Sequence, residues 1–211
     1  MGYPPGWGPR YRRVGVGHAR RVEPGGDGVN LVEEGDALGR LLLASQFRKD
    51  DAVDWLLWTK EVSEVMESFW KTIDTVVMGR RTYEGAERIG VGAYPGVKNY
   101  VFSRTIKKPS DESLTFVSED AAAFVRRLKS EDGKGICVMG GGLLAKSLFE
   151  ADVIDEVGLN IHPVLLGSGI PLFYEMPRQI DLELIKCQQL STGCVILTYQ
   201  VKRGAGASLP S

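Results

Sequence analysis

Three absences narrow the field before any motif is read. No run of about 18 apolar residues occurs, so nothing in the chain reads as a membrane-spanning helix. No CxxC pair and no Cys/His cluster occurs, so no zinc site is expected. Basic charge is not in excess either: the formal net charge is −1, which argues against a phosphate-backbone partner. Cysteine is scarce and odd in number, namely Cys137, Cys187 and Cys194. Each sits in or beside an apolar run, which suits buried free thiols in a reducing compartment, with the cytoplasm as the expected location. Arg10, Arg12 and Arg13 have no apolar core after them, so no secretory signal is expected.

What is present is ordinary globular material. The chain has 211 residues, 43% hydrophobic and 25% charged, enough for one domain with a full core. Residues 1–38 stand apart, rich in Gly, Pro and Arg without an apolar period, and read as disordered or foreign to the fold. The expected domain runs over 39–203, followed by a loose tail at 204–211.

Within the domain, strand and helix patterns alternate. "LGRLLLAS" reads as a short strand. Val62, Val65, Met66, Phe69, Trp70 and Ile73 recur at helical spacing. "DTVVMG" predicts a buried strand and "RRTYEGAERIG" a helix opening directly from Gly79. "NYVFS" and "LTFVS" are further strands. "SEDAAAFVRRLKS" predicts a helix with Ser118 as N-cap, acids in its first turn and bases late. "GICVMG" is a strand, "GLLAKSLFEAD" a helix and "EVGLNIHPVLL" a long strand. "LELIKCQQL" and "CVILTYQV" form an antiparallel hairpin. The alternation predicts an α/β fold with a mainly parallel sheet covered on both faces and an antiparallel end.

Three strand ends carry residues suited to phosphate. Gly140, Gly141 and Gly142 with Leu143, Leu144 and Ala145 fit a G-x-G-x-x-G/A pattern between a strand and a helix, where bare backbone N–H groups attract an anion. The acids Asp152, Asp155 and Glu156 precede the next strand instead of closing it, so the Rossmann form of the motif is incomplete; they read as a cap and a surface turn. Gly79 leads into Arg80, Arg81 and Thr82, two guanidiniums and a hydroxyl at a helix start. A third strand ends in Ser103 and Arg104. In a parallel sheet ligands sit at the carboxyl ends of strands. His162, in an apolar strand before Pro163, reads as a core or rim histidine. Trp55, Trp58, Trp70 and Tyr83 read as core, with Trp55 a lesser candidate for stacking on a ring.

"VVMGRRTYE", "YVFSRT" and "VMGGGLLAKSLFEADVIDEVGLNIHPVLLGSGIPLF", in that order, resemble the dihydrofolate reductase-like fold. More closely, they resemble the C-terminal reductase domain of the bifunctional riboflavin deaminase-reductase of bacteria and its stand-alone relatives. The likeness covers roughly residues 53–203. It implies an oxidoreductase using NADPH, and a homodimer. It also implies that Arg80, Arg81 and Thr82 lie near the 2′-phosphate and diphosphate, Ser103 and Arg104 beside the 2′-phosphate and adenine, and Gly140 to Leu144 along the diphosphate. Two positions depart from the family pattern. The Ser-x-Asp-Gly loop that lies near the nicotinamide does not precede Asp54; either the N-terminal segment is altered, or part of the hydride-transfer site is lacking. Met139 stands where the riboflavin enzymes carry a substrate-facing Glu, which favours a stand-alone relative with a different substrate. Gly167, Ser168 and Gly169 are expected at the pocket mouth. Two other readings remain open: a non-catalytic nucleotide-binding relative, and a Rossmann-type dehydrogenase. Antiparallel terminal strands would exclude the latter.

Overall fold

The computed structural model describes residues 40–43, 55–88, 90–108 and 111–202. The expectations for residues 1–38 and for the tail at 204–211 lie outside this range. Among the described residues, eight strands and four helices follow in the order β1 (Arg40–Leu43), α1 (Lys60–Trp70), β2 (Ile73–Gly79), α2 (Arg80–Arg88), β3 (Lys98–Phe102), β4 (Leu114–Val117), α3 (Ala121–Lys129), β5 (Gly135–Met139), α4 (Gly142–Glu150), β6 (Glu156–Ile161), β7 (Leu182–Gln189) and β8 (Val195–Val201).

Strands β4-β3-β2-β5 form a wholly parallel ladder. A second ladder, β1-β6-β8-β7, is parallel between β1 and β6 and antiparallel from β6 onward. Strand β1 runs beside β5, where the two ladders adjoin. The antiparallel end is the one the sequence predicts, and it is incompatible with the Rossmann alternative. No helix among the described residues is long and apolar enough to cross a membrane.

The strands that carry the sheet's centre are buried on both faces. Val76, Val77 and Met78 in β2 are fully buried, as is Cys137 in β5. Each such side chain contributes on the order of 1.5–3 kcal/mol relative to exposure. One face packs on α3 and α4, through Ala122, Val125, Ala145, Leu148 and Phe149. The other packs on α1, with Phe69 and Trp70 against the β2–β5 strands, and Val62, Val65 and Met66 against Leu190, Cys194 and Ile196.

Five expectations are corrected. Ile73 continues the apolar period of α1 but begins β2. The Thr72 hydroxyl donates to the Phe69 carbonyl at 2.7 Å and closes the last helical turn before Ile73. Asp120, not Ser118, caps α3: its carboxylate accepts from the Ala123 N–H at 2.8 Å, leaving no acid inside the first turn. Strand β6 stops at Ile161, because Pro163 offers no N–H and Val164 turns back on the His162 carbonyl. Cys187 is exposed, since β7 is an edge strand paired on one side alone, whereas Cys137 and Cys194 are buried thiols as expected. Asp155 is not a surface residue: only 2% exposed, it is paired with Lys129 at 2.6 Å, and its carbonyl accepts from the Val201 N–H. Asp152 does turn at the surface, with φ 54° and an ion pair to Arg178.

Candidate functional site

The register of the parallel ladder brings the three phosphate-suited stretches to one edge. Gly79 pairs with Phe102, and Met78 pairs with Met139. Arg80, Ser103 and Gly140 are therefore the first residues to leave three adjacent strands at the same level. Helix α2 starts at Arg80 with no intervening loop.

The glycine turn is shaped by conformation and by close approach. Gly140 and Gly141 have φ of 57° and 77°, a region that costs an L-residue with a Cβ about 1–2 kcal/mol. A Cβ on Gly140 would lie 3.0 Å from Thr82 Cγ2, and one on Gly141 would lie 3.3 Å from Thr82 Oγ1. Thr82 is thus packed directly against the turn, which joins two of the three stretches. Gly142 answers to a different neighbour: a Cβ there would lie 2.6 Å from Tyr174 Cε2 and 2.9 Å from the Leu172 carbonyl oxygen.

Gly141 is the N-cap of α4 and makes no side-chain cap hydrogen bond. Gly141 is exposed at that start, whereas Tyr174 and Leu172 crowd Gly142 next to it. Leu143 is 58% exposed, while Leu144 turns inward onto the core.

The arginines divide by partner. Arg80 is drawn along its own helix by Glu84 at 2.9 Å. Arg81 and Arg104 are exposed and have no ion-pair partner among the described residues. Ser103 spends its hydroxyl on its own loop, accepting from the N–H groups of Thr105 at 3.2 Å and Ile106 at 3.0 Å. It shapes the turn that presents Arg104.

The positions expected on the substrate side are placed less directly. Met139 is buried, 8% exposed, in the cluster with Met78, Tyr83 and Val101 on the face covered by α1. Gly167 and Ser168 are exposed and Gly169 is half-buried; Gly167 has φ 72° with open space around it. Their segment is pinned to α4 by the approach of Leu172 and Tyr174 to Gly142 and by a hydrogen bond from Lys146 Nζ to the Glu175 carbonyl.

His162 is buried, 7% exposed, and Trp55 meets its ring edge-on at 5.4 Å. Nδ1 accepts from the Leu57 N–H at 3.2 Å, and the Cys194 thiol lies 3.5 Å from the same atom. Burial pushes the imidazole pKa below its ordinary value of 6.5. Tyr83, on the buried side of α2, has its pKa pushed up by burial and by its hydrogen bond to Glu87.

Residues 46–196 match the family model of the RibD C-terminal domain. The chain belongs to that family. It is 39% identical over 139 residues to the uncharacterised protein YwjB of Bacillus subtilis, an alignment covering 65% of this chain and 80% of YwjB. Among solved structures, it resembles a Shewanella sp. PV-4 protein named for riboflavin biosynthesis, with TM-score 0.65 and 21% identity over 81% of this chain and 100% of that one. It also resembles the dihydrofolate reductase of Enterococcus faecalis complexed with NADP(H), with TM-score 0.52 and 18% identity over 78% of this chain and 98% of that one. The fold is therefore dihydrofolate reductase-like, as the motifs imply.

Tested against a dinucleotide, the donors at the parallel edge fit in kind. A helix start whose N-cap is a glycine without a side-chain cap suits a diphosphate, and two arginines without carboxylate partners among the described residues suit a further phosphate. Thr82 was named from the sequence for its hydroxyl alone. Its packing against the glycines needs the three-dimensional register to be seen.

Proposed function

We propose that this RibD C-terminal domain protein is an NADPH-dependent reductase acting on a small molecule, of the riboflavin-pathway type or a stand-alone relative of it. One observation carries the reading: Gly79, Phe102 and Met139 end three parallel strands in register, and the residues just past those three ends are anion-binding in kind. The α4 start at Gly141 holds the diphosphate with backbone N–H groups. Arg81 and Arg104 hold the 2′-phosphate, with Arg80 a lesser partner because Glu84 already engages it. Thr82 fixes the shape of the turn.

When bound, the nicotinamide supplies the hydride; the chain's own residues bind, orient and exclude water. Met139 adds apolar lining at the end of β5, and the segment of Gly167, Ser168 and Gly169 borders the mouth. A homodimer accompanies this reading. The edge strand β7 exposes Leu182, Leu184 and Ile185, an apolar strand edge of the kind a second copy covers.

The missing Ser-x-Asp-Gly before Asp54 favours a second reading, in which the nucleotide is bound without turnover. Titration of the full chain with NADPH, followed by nicotinamide fluorescence, tests both. Saturable binding is expected under either reading, and its absence contradicts both. Oxidation of NADPH with an added substrate library separates them.

A further inference from the structure

Two buried polar atoms on β6 and just past its end have no hydrogen-bond partner among the described residues: Asn160 Oδ1 and His162 Nε2. Their chemistry is complementary. The Leu57 N–H can only donate, so His162 Nδ1 must accept and carries no proton. A neutral ring then keeps its proton on Nε2, which makes Nε2–H an unmet donor. Asn160 Oδ1 is an unmet acceptor. Leaving such groups unpaired costs roughly 1–3 kcal/mol each.

His162 lies just past β6 with its ring 3.5 Å from the Cys194 thiol, and Cys194 packs with Val62 of α1. Asn160 lies opposite Ile196, which packs with Val62, Val65 and Met66 of α1, so the shared face is the one under α1. Met139 belongs to the buried cluster against which Phe69 and Trp70 of the same helix pack. The Lys129–Asp155 pair ties the start of β6 to the helix that delivers β5. Both strands start at one edge, so Met139 and Ile161 end at the other, the edge of the glycine turn, with β1 between them.

We infer that Asn160 and His162 together hold a planar amide edge, an N–H beside a C=O. The N–H donates to Asn160 Oδ1 and the carbonyl accepts from His162 Nε2–H. The inference rests on the reductase reading, which supplies two sources of such an edge: the carboxamide of the nicotinamide, and a lactam or cyclic imide on the substrate.

Two probe pairs separate these sources by calorimetry on the full chain. The first is NADP against its 3-acetylpyridine analogue, which keeps the carbonyl and lacks the N–H. The second, on the NADP-saturated chain, is uracil against 1,3-dimethyluracil, whose imide N–H is blocked. At least about tenfold discrimination in one pair is expected, about 1.4 kcal/mol. Discrimination in the first pair assigns the edge to the cofactor, and in the second to the substrate. His162→Asn keeps an acceptor for the Leu57 N–H and removes the Nε2–H; Asn160→Leu removes the acceptor at similar volume. Each is expected to erase the discrimination seen in the unmodified chain.

Equal affinities within both pairs, or discrimination that survives both substitutions, would overturn the inference and leave the two atoms facing ordered water. The comparison on the unmodified chain decides the matter if a variant does not fold. Normal NADPH binding without discrimination sinks this inference alone, whereas no NADPH binding sinks the reductase reading.

Discussion

Replacing Gly141 by Val separates the two reasons for a glycine turn. The left-handed φ of 77° costs an L-residue on the order of 1–2 kcal/mol, with a β-branched side chain at the upper end. The new Cβ would stand 3.3 Å from Thr82 Oγ1 and 3.8 Å from Leu144 Cβ, contacts that a small shift of the threonine relieves. The total, about 2 kcal/mol, lies well inside the usual 5–15 kcal/mol of domain stability. At roughly 2–4 °C per kcal/mol, the melting temperature should fall by about 4–8 °C. The fold survives, but the side chain stands at the exposed start of α4, where the diphosphate must approach backbone. Calorimetric titration with NADPH is expected to show no binding, while far-UV circular dichroism stays native. Gly142→Ala provides the contrast. Its Cβ would lie 2.6 Å from Tyr174 Cε2 and 2.9 Å from backbone oxygen, so it should lose stability. A natively folded Gly141→Val chain that binds NADPH with unchanged affinity would refute the reasoning and leave the turn a purely structural device.

Arg81→Ala and Arg104→Ala should each narrow the preference for NADPH over NADH, whereas Arg80→Ala should do so less because Glu84 holds that side chain; affinities of the three variants for both nucleotides check the ranking. His162 has a pKa lowered by burial, so on acidification the unfolded chain takes up its proton first. Its contribution is then constant above pH 6.5 and is lost as the pH falls below that value, by at most about 1.4 kcal/mol per pH unit. Urea midpoints against pH should lose that component in His162→Asn, and an unchanged slope would contradict it. Light scattering should give a dimer mass for the unmodified chain and a monomer mass for Leu184→Lys, which charges the exposed edge strand; a monomer in both refutes the dimer.

Strand and helix positions were legible because each element carries its own period and its own stop. Gly79, Gly140 and Gly141 punctuate strand ends, and Pro163 marks where β6 cannot continue. The misses arose where local pattern and long-range packing diverge. Ile73 suits the helical period and the buried start of β2 equally well, and its pairing with Gly135, distant in sequence, places it in the strand. Asp155 carries a charge, which reads as surface until Lys129, distant in sequence, is brought to it. Of the candidate site, the residue types at the three strand ends could be read from sequence. Their common level could not, because it depends on register across non-adjacent segments. The same holds for Thr82 against the glycines, and for the unmet pair at the end of β6: Asn160 and His162 look like ordinary strand residues until burial removes water from them.

Isothermal titration of the unmodified chain with NADPH and, separately, NADH tests the central claim most directly. The two nucleotides differ only by the 2′-phosphate that Arg81 and Arg104 are held to recognise. NADPH is expected to bind at least about tenfold more tightly, about 1.4 kcal/mol, with the gap shrinking as salt is raised. Equal affinities, or binding of neither, would contradict the account.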